Sequence, residues 1–233
     1  MAASTTRSRA RQTRDRLIEA AATVFAEHGY RGATMREIAD RAGANLAAAH
    51  YHFGSKLDLY RSVVSVHFER LEARLADSGG AVETLLRSAP PRDQVVGLLR
   101  ARVGTLLETL LEPGGIHPAL MQRELSEPSE ALPFIVERFI EPLQRDTVRI
   151  LARLAPSLDA ATVRRCMYSV FGQASFYLMH RAMLLSMMGR ITYPSGFEDT
   201  VADHIVTFTL GGLEMLERGR TGRSAPRARR KTR

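Results

Sequence analysis

Residues 34–56, TMREIADRAGANLAAAHYHFGSK, decide how this chain folds. The stretch opens with a capping box, because Thr34 can cap a helix while the Glu37 side chain returns to the cap amide. Gly43 marks a tight turn, and Asn45 is a second N-cap residue that starts another short helix. Two short helices joined by a glycine-containing turn are the pattern of a helix-turn-helix.

Helical periodicity continues on both sides of this stretch. Apolar residues recur at helical spacing over 13–28, where Thr13 is expected to cap the helix and Gly29 to end it. About nine helices are predicted in all, and no alternating strand pattern of useful length is present. Ser129 and Ser157 are expected to cap two of the later helices. These later helices are expected from Ser55 to about Ala76 and over 93–111, 118–125, 129–154 with a kink at Pro142, 158–188, and 197 to near Gly219, with a short segment over 81–89 after the first of them. The sequence therefore predicts an all-α protein.

The composition restricts the compartment. The chain has 233 residues, a formal net charge of +8 and one cysteine, Cys166. A single cysteine excludes an internal disulfide framework and favours a reducing compartment. The first 16 residues are polar and arginine-rich, unlike a secretory signal, and no run of about 18 apolar residues is present that would span a membrane. We therefore expect a cytoplasmic protein with no membrane partner.

The positive charge is concentrated at the two ends of the chain. Residues 1–16 contain five arginines against the single acid Asp15, and residues 218–233 contain eight Lys or Arg and no acid. Segments with clustered charge and few apolar residues are expected to be disordered. Two readings stay open for them, a solubilising role and an auxiliary contact with the DNA backbone.

Motifs in the first quarter of the chain resemble the N-terminal domain of TetR-family transcriptional repressors. The residues that carry this resemblance are Ala20-Ala-x-x-Val-Phe25, Gly29-Tyr30, Thr34-x-x-x-Ile-Ala39, Ala42-Gly43, Tyr51-His-Phe-Gly-Ser-Lys56 and Leu59-Tyr60. The chain departs from many members at His50, where they carry Tyr, and at Ala49, where they carry a larger aliphatic residue.

A second resemblance lies in the C-terminal part. It is similar to the C-terminal domain of the CecR-type branch of that family at His117-Pro118, Arg123-Glu-Leu-Ser-Glu-Pro-Ser-Glu-Ala-Leu132, Ile140-Glu-Pro142, Cys166, Ser169-Val-Phe-Gly-Gln173 and Phe176-Tyr177. Together the resemblances imply a disordered basic arm over 1–12, a helix-turn-helix domain over 13–60, a helical effector-binding and dimerisation domain over 61–218, and a disordered basic tail over 219–233. They also imply a repressor that binds a palindromic operator in double-stranded DNA as a homodimer, with no enzymatic activity and no cofactor.

The second short helix is expected to enter the major groove. Alanine side chains at 47 and 48 allow a close approach and can touch thymine methyl groups, while Asn45 and His50 can read base edges. Residues at the helix ends, such as Lys56, are expected to bind phosphates. The expected DNA-binding residues are Thr34, Arg36, Asn45, Leu46, Ala47, Ala48, His50, Tyr51, His52 and Lys56.

Other chemistry in this stretch is disfavoured. His50 and His52 are two residues apart and do not share a helix face, so they are poor joint metal ligands. No acid lies within 45–56 to assist a histidine in catalysis. We expect no metal site and no catalytic residue, and we expect Ala49 and Phe53 to lie in the core.

The C-terminal part is expected to combine dimerisation with effector binding. Apolar residues recur at helical spacing over 162–188 and 197–217, and in TetR-like proteins the last two long helices pair with their copies in a four-helix bundle. A surplus of Met, Phe and Tyr also predicts an apolar pocket for a small, uncharged effector, with room beside Gly172. The expected effector-binding residues are His117, Met121, Phe134, Phe139, Phe171, Gln173, Phe176, Tyr177 and His180.

Two other functions stay open at the level of sequence. One is a DNA-binding regulator without an effector, which a filled C-terminal core would favour. The other is a helical small-molecule-binding protein or enzyme, which a cavity with a convergent acid–base pair or a metal would favour. The sequence names neither the effector nor the operator, and it leaves open whether the protein represses or activates.

Overall fold

The computed structural model describes residues 2–79, 82–112 and 116–223, and it describes the side chains of 8–76, 82–112 and 118–219. Within these ranges the chain forms twelve α-helices and one π-helical segment, with no strand, so the prediction of an all-α fold is confirmed. The helices are α1 (Ala2–Gly32), α2 (Met35–Arg41), α3 (Leu46–Phe53), α4 (Lys56–Gly79), α5 (Val82–Arg87), α6 (Arg92–Leu111), α7 (Ile116–Ser126), α8 (Leu132–Ile135), α9 (Glu141–Leu154), α10 (Ala160–Met179), α11 (Arg181–Met187) and α12 (Phe197–Arg223). The π-helical segment is Val136–Ile140.

The chain divides into two compact units. Unit 1 comprises Met1–Arg74 and Glu108–Pro142, and unit 2 comprises Leu75–Leu107 and Leu143–Arg233. In unit 1, α1 packs against α2, α3 and α7, and α2 packs against α3. In unit 2, α10 packs against α12 and α11. Among the described helices, none is both long and apolar enough to cross a lipid bilayer.

The helix-turn-helix of unit 1 forms as its sequence predicts. The hydroxyl oxygen of Thr34 accepts a hydrogen bond from the Glu37 amide at 3.2 Å, which caps α2. Gly43 has φ +60°, as the turn between α2 and α3 requires. Ala49 and Phe53 are 0% and 8% exposed, so their predicted place in the core is confirmed.

The N-terminus differs from the sequence prediction. Helix α1 begins at Ala2, so the prediction of a disordered arm over 1–12 is wrong for the described residues. Thr13 does not cap the helix, because its hydroxyl donates to the Arg9 carbonyl at 3.0 Å inside it. Arg, Ala and Gln are strong helix formers, so this polar segment extends the amphipathic helix that follows it. The predicted stop is present as a break at Gly29, with φ +68° and ψ 172°, after which the helix continues to Gly32.

The long helix predicted over 158–188 is two helices. It breaks at His180, where φ −106° and ψ 18° separate α10 from α11. The cap of α10 is Asp159, whose carboxylate accepts from the Thr162 amide at 2.8 Å, rather than the predicted Ser157. A break without Pro or Gly leaves no local sequence signal, which explains why periodicity alone missed it.

Proline and the C-terminus account for the remaining differences. The predicted kink at Pro142 takes the form of the π-helical segment just before α9, because proline lacks the N–H of the usual helical hydrogen bond and its ring needs space in the preceding turn. Helix α12 continues past Gly219 to Arg223, which overlaps the predicted basic tail. The rest of that tail, 224–233, lies outside the described residues.

Candidate nucleic-acid interface and effector site

Helix α3 presents a chemically unusual outer face. Ala47, His50 and Tyr51 are exposed, and the Tyr51 side chain reaches 84% exposure. The inner face, with Ala49 and Phe53, is buried in the core. A large aromatic side chain at the surface of a short helix, beside alanines, leaves an accessible ridge that can approach another molecule closely.

The two predicted base-reading residues are oriented by local hydrogen bonds. The Asn45 side-chain oxygen accepts from the Ala48 amide at 2.7 Å, so this oxygen caps α3 and only the amide NH₂ points outward. His50 Nδ1 lies 2.8 Å from the Gly54 carbonyl oxygen. Because a carbonyl only accepts, Nδ1 carries the proton, and Nε2 of the neutral ring is an acceptor on the outer side.

Lys56 is held against the protein at the start of α4. Its ammonium donates to the Ala33 carbonyl at 3.1 Å and lies 4.6 Å from the centre of the Tyr30 ring. This contact fixes the α1–α2 connection to the first turn of α4, next to the end of α3. The ammonium keeps further donors, so the geometry allows a phosphate contact in addition to this positioning role.

The remaining predicted DNA-binding residues surround the outer face. Thr34 and Arg36 are exposed at the start of α2, and the N-terminus of a helix attracts phosphate. Leu46, Ala48 and His52 are half-buried on α3. The helix-turn-helix therefore brings all ten predicted residues to the region around α2, α3 and the first turn of α4.

A small cavity lies elsewhere in unit 1. It has a volume of about 10 Å³, which is the room that one water molecule needs. Of the predicted effector residues, only Met121 lines this cavity. Phe139 stacks on Phe68 with ring centres 4.5 Å apart, and Phe134 meets Phe139 edge-on with ring centres 5.8 Å apart. The His117 side chain lies outside the described part of the chain. The lining residues are Tyr60, Val64, His67, Phe68, Leu120, Met121 and Ile135.

Helix α7, which lines this cavity, is bound to two other helices of unit 1. Glu124 is 3% exposed and accepts from the Tyr60 hydroxyl on α4 at 2.8 Å, and from the amide and hydroxyl of Ser129 at 3.0 Å each. Burial, and then the Glu124 carboxylate, raise the pKa of Tyr60, so its hydroxyl keeps the proton that it donates. Neighbouring Arg123 donates to the Glu27 carbonyl of α1 at 2.7 Å.

The other predicted effector residues lie in unit 2, where Phe176 and His180 are exposed and the rest are half-buried. An open groove of about 550 Å³ on α10 and α12 is lined by Gln173, Phe176 and Tyr177 together with Gly172, Ser169, His204 and Phe208. Phe176 is 43% and Phe208 is 64% exposed. Phe171 is half-buried, and His180 stacks on Phe176 at 4.4 Å. The expectation of one enclosed pocket made by both groups of residues thus stays a prediction.

Comparison with known proteins gives the family. Residues 17–63 match the family of bacterial regulatory proteins of the tetR type, which is the part that forms the helix-turn-helix. Residues 96–213, just over half of the chain, match the C-terminal domain of the HTH-type transcriptional dual regulator CecR. The chain belongs to the TetR family, in its CecR branch.

Its relatives within the TetR family regulate transcription in different directions. The dual regulator CecR of Shigella flexneri is 30% identical over 60% of this chain, and the activator FasR of Mycolicibacterium smegmatis is 45% identical over 26%. The repressor AcnR of Corynebacterium glutamicum is 34% identical over 31% of the chain. The chain spans 64% of the length of CecR, 27% of FasR and 38% of AcnR.

Solved structures confirm the all-α fold. A transcriptional regulator of Rhodococcus sp. Rha1 superposes with a TM-score of 0.61 at 23% identity, covering 85% of this chain and 96% of that chain. The fatty acid degradation regulator FadR of Bacillus halodurans superposes with a TM-score of 0.61 at 19% identity, covering 86% and 96%. TetR-family regulators bind DNA and act as dimers, and the family and the relatives named above are transcriptional regulators rather than enzymes.

On α10 and α12 the structure distinguishes the apolar residues that pack inside unit 2 from those that face outward. On α10 the apolar residues Val163, Met167, Val170 and Ala174 are at most 2% exposed and form the core of unit 2. Tyr168 and Phe176 of the same helix, and Phe208, Met215 and Leu216 of α12, are exposed. The outward set forms one stripe on each helix, and glycines at 172 and 212 lie within the stripes, where an added side chain would meet nothing.

Two further features of the described residues concern metal-ligating clusters and the single cysteine. Within these residues, no group of three His, Cys, Asp or Glu side chains is arranged to hold a metal ion. Cys166 is half-buried, and burial raises the pKa of its thiol, which disfavours the reactive thiolate. Cys166 thus has the environment of a small, partly buried side chain rather than of a reactive thiol.

Sequence reasoning missed the attachments of α7. Tyr60 and Glu124 are 64 residues apart, and Arg123 and the Glu27 carbonyl are 96 apart, so no local spacing connects them. The one available signal was the pair Arg123-Glu124 itself, since adjacent ionisable residues on a short helix point to different neighbours. The Arg123 guanidinium donates to a carbonyl near the end of α1.

Proposed function

We propose that this protein is a ligand-responsive repressor of the cytoplasm that binds a palindromic operator as a homodimer and is released by a small apolar effector. The observation that carries the proposal is the outer face of α3, where exposed Ala47, His50 and Tyr51 form a ridge above a buried inner face. A helix of this shape fits the major groove, where alanines permit close approach and polar side chains reach base edges.

The DNA contacts divide into two classes. His50 Nε2 and the Asn45 NH₂ group are the groups available to read bases, as acceptor and donor respectively. Tyr51, Thr34 and Arg36 are placed to contact the backbone and set the register. Replacing a base-reading residue should relax sequence preference, while replacing a backbone contact should weaken binding to all sequences.

The test starts from operators selected out of random duplexes by the purified protein. His50→Ala should lower the preference for the selected site over scrambled DNA, and Tyr51→Ala should lower affinity for both, as measured by fluorescence anisotropy. Glu69→Ala, an exposed change on α4, serves as a control for protein handling. If His50→Ala and Tyr51→Ala both bind the operator as tightly as the parent protein, α3 does not read DNA.

Lys56 needs a test that separates its two possible contacts. Lys56→Gln retains a donor for the Ala33 carbonyl but removes the charge, whereas Lys56→Ala removes both. If Lys56 binds a phosphate, both variants lower the salt slope of operator binding by about one unit per half-site. If its role is to hold the start of α4, Lys56→Gln keeps the parent slope and only Lys56→Ala weakens binding.

The proposed interface between protomers is the outward stripe of α10 and α12. Exposed Tyr168, Phe176, Phe208 and Met215 give each protomer an apolar surface, and the glycines at 172 and 212 allow helices to approach closely. Family members act as dimers, and this stripe lies on the last two long helices. Two recognition helices at a fixed distance then read two half-sites about 34–36 Å or a multiple of it apart.

The effector is proposed to enter between α4 and α7. The cavity there is apolar but holds only about 10 Å³, so an organic molecule must push α7 away from α4 to bind. Arg123 and Glu124 attach α7 to α1 and α4, the two helices that flank the helix-turn-helix. Displacement of α7 thus pulls on both supports of the recognition helix. A tenfold loss of operator affinity needs a coupling of only about 1.4 kcal/mol.

The effector proposal is tested by filling the cavity. A screen of small apolar compounds for operator release should find ligands whose effect disappears in Met121→Trp, because tryptophan occupies the space into which the compound must enter. Leu125→Trp is the matched control, since Leu125 lies on the same helix and is 56% exposed. Met121→Trp with an unchanged response places the effector elsewhere.

A second candidate is a regulator without an effector. The observation in its favour is the near-filled state of the unit 1 cavity. In that case no apolar compound raises the melting temperature or releases the operator, and transcription from an operator-linked reporter follows protein concentration alone. The same reporter fixes the sign of regulation, since a repressor lowers and an activator raises its output.

A further inference from the structure

The N-terminal part of α1 continues a core-facing row with arginines. From Ile18 onward the row consists of Ile18, Ala21 and Phe25, at alternating spacings of three and four, and these residues are 8%, 0% and 0% exposed. The same spacing leads backward to Arg14 and Arg11. One face of a single helix therefore changes from buried apolar residues to exposed arginines at residue 14.

The change occurs beside the end of the recognition helix. The Arg14 guanidinium lies 5.3 Å from the centre of the Phe53 ring, and Phe53 is the last residue of α3. Arg11 lies one turn further toward the N-terminus and is exposed. Arg9 is also exposed but lies on the opposite side of α1, since two residues rotate a helix by about 200°.

We propose that the N-terminal turns of α1 form a second DNA-binding surface, in which Arg11 contacts a backbone phosphate that flanks the bases read by α3. This proposal rests on the docking of α3 in the major groove proposed above. With α3 in the groove, the arginine side of α1 leaves the protein core next to the end of α3, where the flanking backbone passes. Arg14 holds α1 to α3 through Phe53, so the orientation of Arg11 is fixed by the fold rather than by a flexible arm.

DNA is favoured over other anionic partners by this placement. A solubilising tail needs no orientation, yet the arginines here continue a buried row of α1, and Arg14 lies against Phe53 of α3. Asp15 is the one acid among the first 16 residues, so little in the sequence neutralises this surface. Guanidinium groups bind phosphate with paired donors in a fixed geometry, which suits a contact that sets register.

The experiment compares two arginines of the same helix. Arg11→Gln and Arg9→Gln remove the same charge and keep a strong helix former, but they lie on opposite sides of α1. Binding is measured by anisotropy from low to moderate salt, on a long operator and on one trimmed to the bases that α3 covers. Circular dichroism checks that each variant keeps the parent helix content.

Arg11→Gln should lower the salt slope on the long operator by about two units, one phosphate for each protomer of the dimer. Arg9→Gln should keep the parent slope, and on the trimmed operator all three proteins should bind alike. Equal losses for Arg9→Gln and Arg11→Gln would mean a diffuse charge effect and would overturn the proposal, as would an unchanged slope for Arg11→Gln. Tyr51→Ala separates the two failures: if it weakens binding while Arg11→Gln does not, α3 docks and the second surface is absent.

Discussion

At the scale of the residue, one buried carboxylate on α7, that of Glu124, links α7 to α4. Glu124 accepts hydrogen bonds from Tyr60 on α4 and from Ser129 beyond α7, with almost no exposure to water. A buried carboxylate needs such donors, because removal from water costs far more than any single hydrogen bond returns. Because all three donors must reach the Glu124 carboxylate at once, they fix α7 in one position relative to α4.

Removing one donor tests this reading. Tyr60→Phe should lower the free energy of unfolding by about 1.5–3 kcal/mol, the range for a hydrogen bond to a charged group. Urea unfolding followed by circular dichroism measures the change. Tyr30→Phe is the control, because Tyr30 lies 5.2 Å from Tyr60 in the same ring cluster but has no hydrogen bond to a carboxylate among the described residues. Equal effects in the two variants would mean that Glu124 does not need the hydroxyl.

His67 predicts a dependence of stability on pH. Burial, and then the charge of Arg70, lower the pKa of His67 in the folded protein below its unfolded value of about 6.5. Between the two pKa values the unfolded chain binds the proton more readily, so stability present above about pH 6.5 is lost as the pH falls. The melting temperature should therefore drop from pH 7.5 to 5.5, and His67→Gln should reduce that drop.

The control for this prediction is His50→Gln, which removes an exposed imidazole on α3, outside the proposed dimer stripe. It should leave the pH dependence close to that of the parent protein. If His67→Gln shows the full parent loss on acidification, other groups carry the pH dependence.

At the scale of the element, the three caps around the recognition helix were predictable, because one residue fixes each of them. Thr34 and Asn45 each bond an amide three residues on, and Ser55 accepts from the Asp58 amide at 3.1 Å in the same way. These contacts depend on local sequence alone, so the three helix starts around the recognition helix were found correctly. The outer face of α3 followed from the same local pattern.

The structural features that the sequence did not predict depend on interactions that residue spacing does not encode. The helical state of residues 2–12 arises because α1 extends an existing helix, which costs less than starting one. The division of α10 residues between the core of unit 2 and its surface depends on which side α12 covers. The attachment of α7 through Arg123 and Glu124 needs the tertiary structure outright.

Gly172 tests the proposed role of α10 and α12. The sequence suggested that Gly172→Leu would fill an effector pocket, but Gly172 lies in an open groove and an added side chain meets nothing there. A leucine should leave each protomer folded but push the α10 and α12 helices of the two protomers apart. The dissociation constant of the dimer should therefore rise. Sedimentation equilibrium should show at least a tenfold rise in the dissociation constant, about 1.4 kcal/mol.

Gly97→Leu is the matched control for that experiment. Gly97 is also an exposed helical glycine with open space around it, but it lies on α6. A rise in the dissociation constant for both variants would indicate general destabilisation. If Gly172→Leu dimerises normally but loses effector binding, the groove beside Gly172 is the effector site, as the sequence first suggested.

At the scale of the whole molecule, symmetry decides how DNA is read. A dimer formed through one shared stripe is isologous, so a two-fold axis relates its recognition helices. Two helices related in this way meet identical base sequences only on an inverted repeat. One protomer offers a single helix of eight residues, Leu46–Phe53, which reads too few bases to select a site alone.

The selected operator should therefore be an inverted repeat, and its symmetry should matter as much as its bases. An operator rebuilt with one half-site reversed, as a direct repeat of the same sequence and spacing, should bind no better than a single half-site. Anisotropy titrations of the three duplexes at one salt concentration measure this, with a loss of at least tenfold expected for the direct repeat because one recognition helix loses its base contacts. Gly172→Leu should bind all three duplexes alike, since separate protomers carry no fixed spacing. A parent protein that binds direct and inverted repeats equally would show that its two recognition helices are not held by a two-fold axis, and the stripe on α10 and α12 would then lose its proposed role.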